Sequence, residues 1–95
     1  MAAFVIVDVT IIDPIRYEEY KKMAAPTVAA HGGRYVVRGG KVETLEGHWP
    51  HGRLVVLEFP TAERAREWWG CDEYREAKAL RHATAESRMI LVEGL

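Results

Sequence analysis

The feature that most constrains the fold is a strand near the start of the chain that is apolar on both faces. Residues 3–10 alternate with a period of two and are rich in β-branched types. One face carries Phe4, Ile6, Asp8 and Thr10, and the other carries Val5, Val7 and Val9. Because one layer of helices covers only one face of a sheet, this strand needs a second cover.

A helix is predicted directly after this strand. Asp13 can accept hydrogen bonds from the first free amides of a helix, and Pro14 suits the first helical position because its missing donor would be unsatisfied there anyway. The apolar stripe at helical spacing consists of Tyr17, Tyr20, Ala24 and Val28. We expect Pro26 to kink this helix without ending it, and we expect the helix to end at residues 31–33, where glycine permits a left-handed cap.

The rest of the chain predicts three more strands and a second helical region. Strand patterns occur at residues 34–38, 53–59 and 87–93. Residues 41–46 are expected to continue in extended conformation after a turn at Gly39-Gly40. Thr61 is the predicted cap of a second helix, Gly70 interrupts that helix, and Asp72 is the predicted cap of a further helical segment.

The resulting order is β-α-β-β-α-β, which is typical of a ferredoxin-like α+β sandwich. Right-handed crossovers place both helices on one face of a four-stranded antiparallel sheet. The other face would then expose an apolar patch larger than monomers usually tolerate. We therefore expect residues 1–95 to form a single domain that pairs with a second copy through the open face of its sheet.

Composition and charge argue against several other classes of protein. Thirteen Lys and Arg residues are scattered among fourteen Asp and Glu residues, so the chain lacks the basic patch that nucleic acid requires. The apolar run at residues 4–7 has no basic leader and is interrupted by Asp8, which predicts neither a signal peptide nor a membrane span. The single Cys71 cannot form an intrachain disulfide and suits a reducing, cytoplasmic compartment.

Several separated blocks of sequence resemble the domain-of-unknown-function 1330 family. These blocks are residues 32–40, 45–49, 57–60, 65–68 and 73–81, and the resemblance runs nearly end to end. The family belongs to the dimeric α+β barrel superfamily, so the resemblance implies that two sheets meet face to face in a barrel-like dimer. That superfamily holds antibiotic-biosynthesis monooxygenases, haem-degrading monooxygenases, lactone isomerases and chlorite dismutases, so membership leaves the function open.

A set of polar and aromatic residues predicts a pocket between the sheet and the second helix. The set comprises Asp8, Arg38, Trp49, Arg53, Trp68, Tyr74 and Arg81. Arginine recognises carboxylates and aromatic walls hold flat apolar bodies, so a small organic acid would suit this pocket. The alternative is that the aromatic residues fill the core or the dimer interface, while the arginines pair with Glu46, Glu58 or backbone carbonyls.

Proton transfer and metal binding have weaker signals in the sequence. Asp8, Tyr74 and His82 are the candidates for handling protons, although the helix dipole alone favours a histidine at the position of His82. His48 and His51, with Glu46, make a poor metal cage because they lie on one loop, so we expect no metal. Cys71 is expected to be a small buried residue.

The positions of the histidines bear on cofactor binding, and the predicted pocket bears on the class of function. Haem would require a histidine projecting into the pocket, whereas the four histidines lie in loops or at helix ends, so we expect no cofactor. Two functional classes remain open. The protein is a binding module for a small carboxylic or aromatic ligand, or it is a cofactor-independent enzyme of monooxygenase or isomerase type.

Overall fold

Four strands and three helices follow one another along the chain. The computed structural model describes residues 1–95, and its elements are β1 (Ala3–Ile11), α1 (Pro14–Ala30), β2 (Arg34–Arg38), β3 (Arg53–Phe59), α2 (Ala62–Gly70), α3 (Asp72–Thr84) and β4 (Ala85–Glu93). The predicted order is confirmed, with the second helical region divided into α2 and α3 after Gly70 as the sequence indicated.

The four strands form one antiparallel sheet in the order β2-β3-β1-β4. β1 occupies an inner position, where Val5 faces Leu57 of β3 on one side and Leu91 of β4 on the other. The two inner strands are neighbours in the sheet but are separated in sequence by α1 and β2. This arrangement is the ferredoxin-like α+β fold that the sequence predicted.

The core lies between the sheet and the helices. The valine face of β1 points into it, together with buried side chains of β3 and of all three helices. Its largest fully buried side chains are Trp68, Tyr74 and Phe59. The rings of Trp68 and Tyr74 pack with centroids 4.3 Å apart. Indole Nε1 of Trp68 donates to Thr27 Oγ1 at 3.0 Å, so the buried indole is satisfied.

The beginnings of α1 and α2 match the predicted caps. The Asp13 carboxylate accepts from the Arg16 amide at 3.2 Å, and the Thr61 hydroxyl accepts from the Arg64 amide at 3.1 Å. α1 continues through Pro26, also as predicted. The predicted cap of α3 is wrong: Asp72 is already helical and pairs with Arg75 three residues later, while Cys71 takes the cap position without a side-chain hydrogen bond.

The segment between β2 and β3 differs from the prediction. Residues 41–46, which were expected to continue extended from β2, form no strand, and the whole stretch 36–51 is exposed. Gly39 ends the pairing: it has a positive φ of 70° and its amide donates to the Leu54 carbonyl at 2.8 Å. Beyond this residue the chain leaves the sheet and returns at Arg53.

The second face of the sheet carries no helix. Its apolar side chains, placed there by the strand register, are Phe4, Ile6, Leu54, Val56, Ile90 and Val92. Ile90 is 58% exposed, and Asp8 and Arg88 form an ion pair at 2.8 Å on the same face. We call this surface the open face. None of the helices is both long enough and apolar enough to cross a lipid bilayer.

Candidate functional site

The most unusual buried group is the guanidinium of Arg81. This residue lies on the inner side of α3 and is only 3% exposed. Its Nη1 donates to the Tyr74 hydroxyl at 2.8 Å and its Nη2 donates to His82 Nε2 at 3.2 Å, while its Nε has no partner. An arginine is always charged and a buried charge normally needs an anion beside it, yet no carboxylate pairs with Arg81.

A second arginine in the same region is also unpaired. Arg53, at the start of β3, has a buried Nε without a hydrogen-bond partner and forms no ion pair. Its guanidinium packs against the backbone of Gly39, where an added Cβ would lie only 2.7 Å from Nη1. Glycine at position 39 therefore serves two purposes: it permits the positive φ and it lets the guanidinium approach the chain.

A β-bulge brings a third arginine to the same side of the sheet. Tyr35 pairs with Leu57 and Arg38 pairs with Val55, so three steps along β2 match two steps along β3. The register shift between Tyr35 and Val37 accounts for this, because the extra residue reverses the alternation of side chains. Arg38 consequently lies on the helix side, with its guanidinium 4.3 Å from the centroid of the Tyr35 ring.

These three arginines surround a small cavity between the sheet and the helices. The cavity has a volume of about 30 Å³, which accommodates about two waters or the oxygens of one carboxylate. We call it the arginine cavity. Its polar lining consists of Arg38, Arg53, Arg81, Lys21, Tyr17, Tyr20 and Tyr35, and no acidic residue lines it.

A larger cleft adjoins the arginine cavity. It lies between α2, α3 and β4 and has a volume of about 570 Å³. We call it the β4 cleft. Trp68, Arg81 and Met89 line both spaces, so the cavity and the cleft share part of their walls. The lining of the β4 cleft is mainly apolar, and its polar members are Arg66, Arg81, His82 and Ser87. Such a lining suits a small molecule with an apolar body and an anionic group.

Buried tyrosines support the arginine cavity. The hydroxyls of Tyr20 and Tyr74 are 2.8 Å apart, and Tyr74 also accepts from Arg81. Burial raises the pKa of Tyr17 to about 12, and burial also raises the pKa of Tyr35 and Tyr74 above the ordinary value for tyrosine. These phenols are therefore neutral at physiological pH and cannot neutralise the arginines.

His82 lies at the rim of the β4 cleft next to Arg81. Since a guanidinium can only donate, His82 Nε2 accepts from Arg81 and the proton of the neutral ring sits on Nδ1. Burial, with added repulsion from Arg81 and Lys78, lowers the pKa of His82 below its ordinary value. The imidazole is thus neutral at physiological pH, and its lone pair is already engaged by Arg81.

The structure brings together four of the predicted ligand-binding residues. Arg38, Arg53, Trp68 and Arg81 line the arginine cavity. Tyr74 lies behind them and contacts Arg81 without lining either space.

Two predicted residues lie elsewhere in the molecule. Asp8 is on the open face, where it accepts from the Gly52 amide at 2.8 Å and pairs with Arg88; the Gly52 hydrogen bond is the main reason that its pKa is lowered. It points away from the helices because β1 alternates and its valine face is buried. Trp49 is 70% exposed in the segment between β2 and β3, so it does not join the arginines.

Three tyrosines and a methionine of the cavity lining are absent from the predicted site residues, and they are Tyr17, Tyr20, Tyr35 and Met89. Tyr17 and Tyr20 belong to the apolar stripe of α1, and helical spacing does not indicate which strand their hydroxyls will approach. Tyr35 precedes Arg38 by three residues, a spacing that places two side chains on opposite faces of a regular strand. Only the bulge in β2 puts them side by side.

The residues that could hold a metal are not His48 and His51. His48 and His51 are exposed, and His51 Nδ1 contacts the backbone oxygen of Gly52. A different set, His31, Cys71 and Glu73, brings three donor atoms within 4.8 Å of one another. Burial, followed by the carboxylate of Glu73, raises the pKa of the Cys71 thiol. Cys71 is partly exposed, not fully buried as expected.

Comparison of the sequence with protein families and curated proteins gives one match. The model of a family described as "Domain of unknown function (DUF1330)" matches residues 2–95. No curated protein matches the chain.

Comparison with solved structures shows the same fold in several proteins. A protein of unknown function from Rhodopseudomonas palustris aligns with a TM-score of 0.80 and 21% identity over 99% of this chain and 82% of its own. SnoaB, a cofactor-independent oxygenase from Streptomyces nogalater, aligns with a TM-score of 0.70 and 12% identity over 99% and 93%. A dimeric ferredoxin-like protein of unknown function from Bacteroides fragilis aligns with a TM-score of 0.64 and 14% identity over 98% and 96%.

Proposed function

The chain belongs to the DUF1330 family, and from the geometry of its arginine cavity we propose that it binds a small organic acid. The carboxylate lies in the arginine cavity against Arg81 and Arg53, and the apolar or aromatic body occupies the β4 cleft. Arg38, held on the helix side by the bulge, faces the same carboxylate from β2.

The observation that carries this proposal is the buried and uncompensated charge of Arg81. Burying a charged group costs several kcal/mol unless an opposite charge or several hydrogen bonds offset the loss of water. The partners of Arg81 are neutral, since the pKa of Tyr74 is raised and that of His82 is lowered. A carboxylate from a ligand would provide the missing negative charge and an acceptor for the free Nε.

The shapes of the two spaces support a division of the ligand into two parts. The arginine cavity is too small for more than a carboxylate or a few waters, whereas the β4 cleft has the volume of a typical small-molecule site. The buried Trp68 and the partly exposed Met89 line both spaces, and Met89 offers a flexible, polarisable surface to the body of the ligand.

The second part of the proposal is that the protein is a homodimer through its open face. The apolar residues of β1, β3 and β4 on this face have no cover within the chain. Burying them against the same residues of a second copy would give the two sheets the packing of a β-sandwich. The Bacteroides fragilis relative in fold is itself a dimer.

A cofactor-independent monooxygenase or isomerase is the second candidate function. It is favoured by the combination of neutral phenols and guanidiniums around the arginine cavity, which could stabilise an oxyanion formed on a bound substrate. SnoaB, of similar fold, is a cofactor-independent oxygenase. In this case Tyr74 would be a positioning residue for Arg81, and proton transfer by His82 would require it to leave its contact with Arg81.

Ligand binding is tested by thermal shift and calorimetry with simple aromatic and aliphatic carboxylates, such as benzoate and hexanoate, as probes. Binding of a carboxylate to the folded protein raises the melting temperature. Arg81→Met removes the charge but keeps most of the side-chain volume, and we expect it to weaken binding roughly 10- to 100-fold. Arg75→Met, on the exposed side of the same helix, is the matched control and should bind normally.

Stability measurements on the same variants separate binding from folding. Because Arg81 has no anionic partner, its replacement by methionine should leave the melting temperature unchanged or raise it. If Arg81→Met bound every carboxylate as tightly as the parent protein, or if no carboxylate in a broad set bound the parent, the proposed ligand class would be wrong.

The enzymatic alternative is tested by oxygen consumption and product analysis with those carboxylates that bind. Turnover that disappears in Arg81→Met and persists in Arg75→Met would favour an enzyme. Tight binding without any chemical change in the ligand would favour a binding protein.

A further inference from the structure

Three metal-binding side chains meet where the end of α1 approaches the start of α3. His31 caps α1, Cys71 lies at the junction of α2 and α3, and Glu73 is in the first turn of α3. One donor atom from each lies within 4.8 Å of the other two, and His31 Nε2 is 4.0 Å from a carboxylate oxygen of Glu73. None of these three residues lines the arginine cavity or the β4 cleft.

The histidine is held in the orientation that a metal ligand requires. His31 Nδ1 is 2.9 Å from the backbone oxygen of Thr27, and because a carbonyl can only accept, Nδ1 carries the proton of the neutral ring. The lone pair is therefore on Nε2, which is the atom near Glu73. Metal-bound histidines are commonly fixed by such a hydrogen bond from the other ring nitrogen to a backbone carbonyl.

The supporting residue is itself fixed in the core. Thr27 is buried, its hydroxyl donates to the Ala24 carbonyl at 2.6 Å, and that hydroxyl accepts from Trp68. The imidazole is 15% exposed, so it has little freedom to rotate, while the Glu73 side chain is largely exposed and free to move. Closing the separations to the roughly 3.5 Å between ligands of a tetrahedral ion needs only movement of the flexible carboxylate and the thiol.

We propose that His31, Cys71 and Glu73 form a binding site for Zn²⁺, with the fourth position open to water or another ligand. Nitrogen, sulfur and oxygen donors together are the set that zinc accepts, whereas calcium and magnesium require oxygen donors. The ion would link the end of α1 to the start of α3, where Glu73 directly precedes Tyr74. This proposal is independent of the proposed carboxylate function.

Cobalt is the most informative probe, because a thiolate bound to Co²⁺ gives a charge-transfer absorption band and tetrahedral Co²⁺ gives strong visible bands. The purified, metal-free protein is titrated with Co²⁺ at mildly alkaline pH, where metal competes better with the thiol proton. We expect both sets of bands, and we expect Zn²⁺ to displace Co²⁺ and to raise the melting temperature.

Single substitutions assign the ligands. Cys71→Ser should abolish the charge-transfer band, and His31→Gln and Glu73→Gln should weaken binding more than the roughly 10- to 100-fold that loss of a supporting contact costs. His48→Gln, in the exposed loop, is the control and should bind as the parent does. Circular dichroism verifies that each variant is folded. Glu73→Gln, at an exposed position, carries the test if either of the other two unfolds.

Two results would overturn the proposal. One is the absence of a thiolate band in the parent protein at saturating Co²⁺. The other is a parent-like affinity in both His31→Gln and Glu73→Gln, which would mean that Cys71 binds the ion without the other two side chains.

Discussion

At the scale of single residues, the charged side chains differ in whether they lie in exposed ion pairs or are buried without an opposite charge. Asp8 and Arg88 pair on the open face, and Arg34 pairs with Glu58 at a sheet edge. Arg81, by contrast, is buried among neutral partners. The alternative interpretation of the sequence is right for the aromatic residues, because Trp68 and Tyr74 fill the core. It is wrong for Arg81, which pairs with neither an acidic residue nor a backbone carbonyl.

Gly39 provides a residue-scale test of the arginine cavity. Gly39→Ala should lower the free energy of unfolding by about 1 kcal/mol because of the positive φ, and it should also weaken carboxylate binding because the methyl group displaces Arg53. Gly47→Ala is the matched control, since Gly47 has a similar φ of 72° and no neighbour within 4 Å. Urea denaturation and calorimetry measure the two effects. Equal carboxylate affinity in the two variants would contradict the role given to Arg53.

Asp8 predicts a dependence of stability on pH. Its pKa in the folded protein is lowered from 3.8, chiefly by the hydrogen bond from the Gly52 amide and also by Arg88. The stabilisation from the ionised carboxylate is therefore present above pH 3.8 and is lost as the pH falls through the lower folded-state pKa.

Asp8→Asn should accordingly lose less stability than the parent protein between neutral pH and strongly acidic pH. Urea denaturation at several pH values makes this comparison. Glu43→Gln, at an exposed position outside the helices and strands, should show the parent's pH dependence. Parallel stability curves for Asp8→Asn and the parent would contradict the assignment.

At the scale of elements, the ends of helices and the irregularities of strands place the functional groups. α1 begins where its cap predicted, and its inner side delivers Tyr17 and Tyr20 to the arginine cavity. The bulge in β2 delivers Arg38 to the same space. The first element follows from local sequence, whereas the second depends on how β2 pairs with β3.

The cap of α1 can be measured directly. Asp13→Ala removes the acceptor for the Arg16 amide and should lower the free energy of unfolding by about 1 kcal/mol. Asp13→Asn retains a side-chain oxygen and should lose much less. The comparison uses urea denaturation monitored by circular dichroism, and equal losses in both variants would show that the cap hydrogen bond is not the source of the stabilisation.

At the scale of the whole molecule, the fold leaves one face of the sheet without a cover. The fourteen residues of the buried core cluster lie on the helix side. The open face combines exposed apolar side chains with the Asp8–Arg88 pair. A second copy would bury the apolar residues, and the proposed homodimer rests on this physical need.

Ile90 provides the test of the homodimer. Sedimentation equilibrium should find the parent protein dimeric at micromolar concentration, and Ile90→Lys should shift it toward monomer because a lysine would be buried opposite apolar residues. Ile15→Lys, at an 83% exposed position of α1, is the control and should remain dimeric. If the parent protein sedimented as a monomer, the proposal of a homodimer would be wrong.

The structure does not test some of the expectations from the sequence. The cytoplasmic location inferred from the lone Cys71, the absence of nucleic-acid binding and the absence of a cofactor all stay predictions. The same holds for the catalytic roles of Asp8, Tyr74 and His82.

The sequence by itself determined the elements, their order and the open face. It could do so because alternation, helical spacing and capping are local patterns, repeated every two to four residues. The sequence predicted one pocket for a larger set, and the tertiary structure decided which members of the set converge: Arg38, Arg53 and Arg81 do. Asp8 and Trp49 do not join them. The meeting of His31, Cys71 and Glu73 was decided by the tertiary structure alone. Those facts depend on strand register, on one bulge and on the packing of α1 against α3, all of which join residues far apart in the chain.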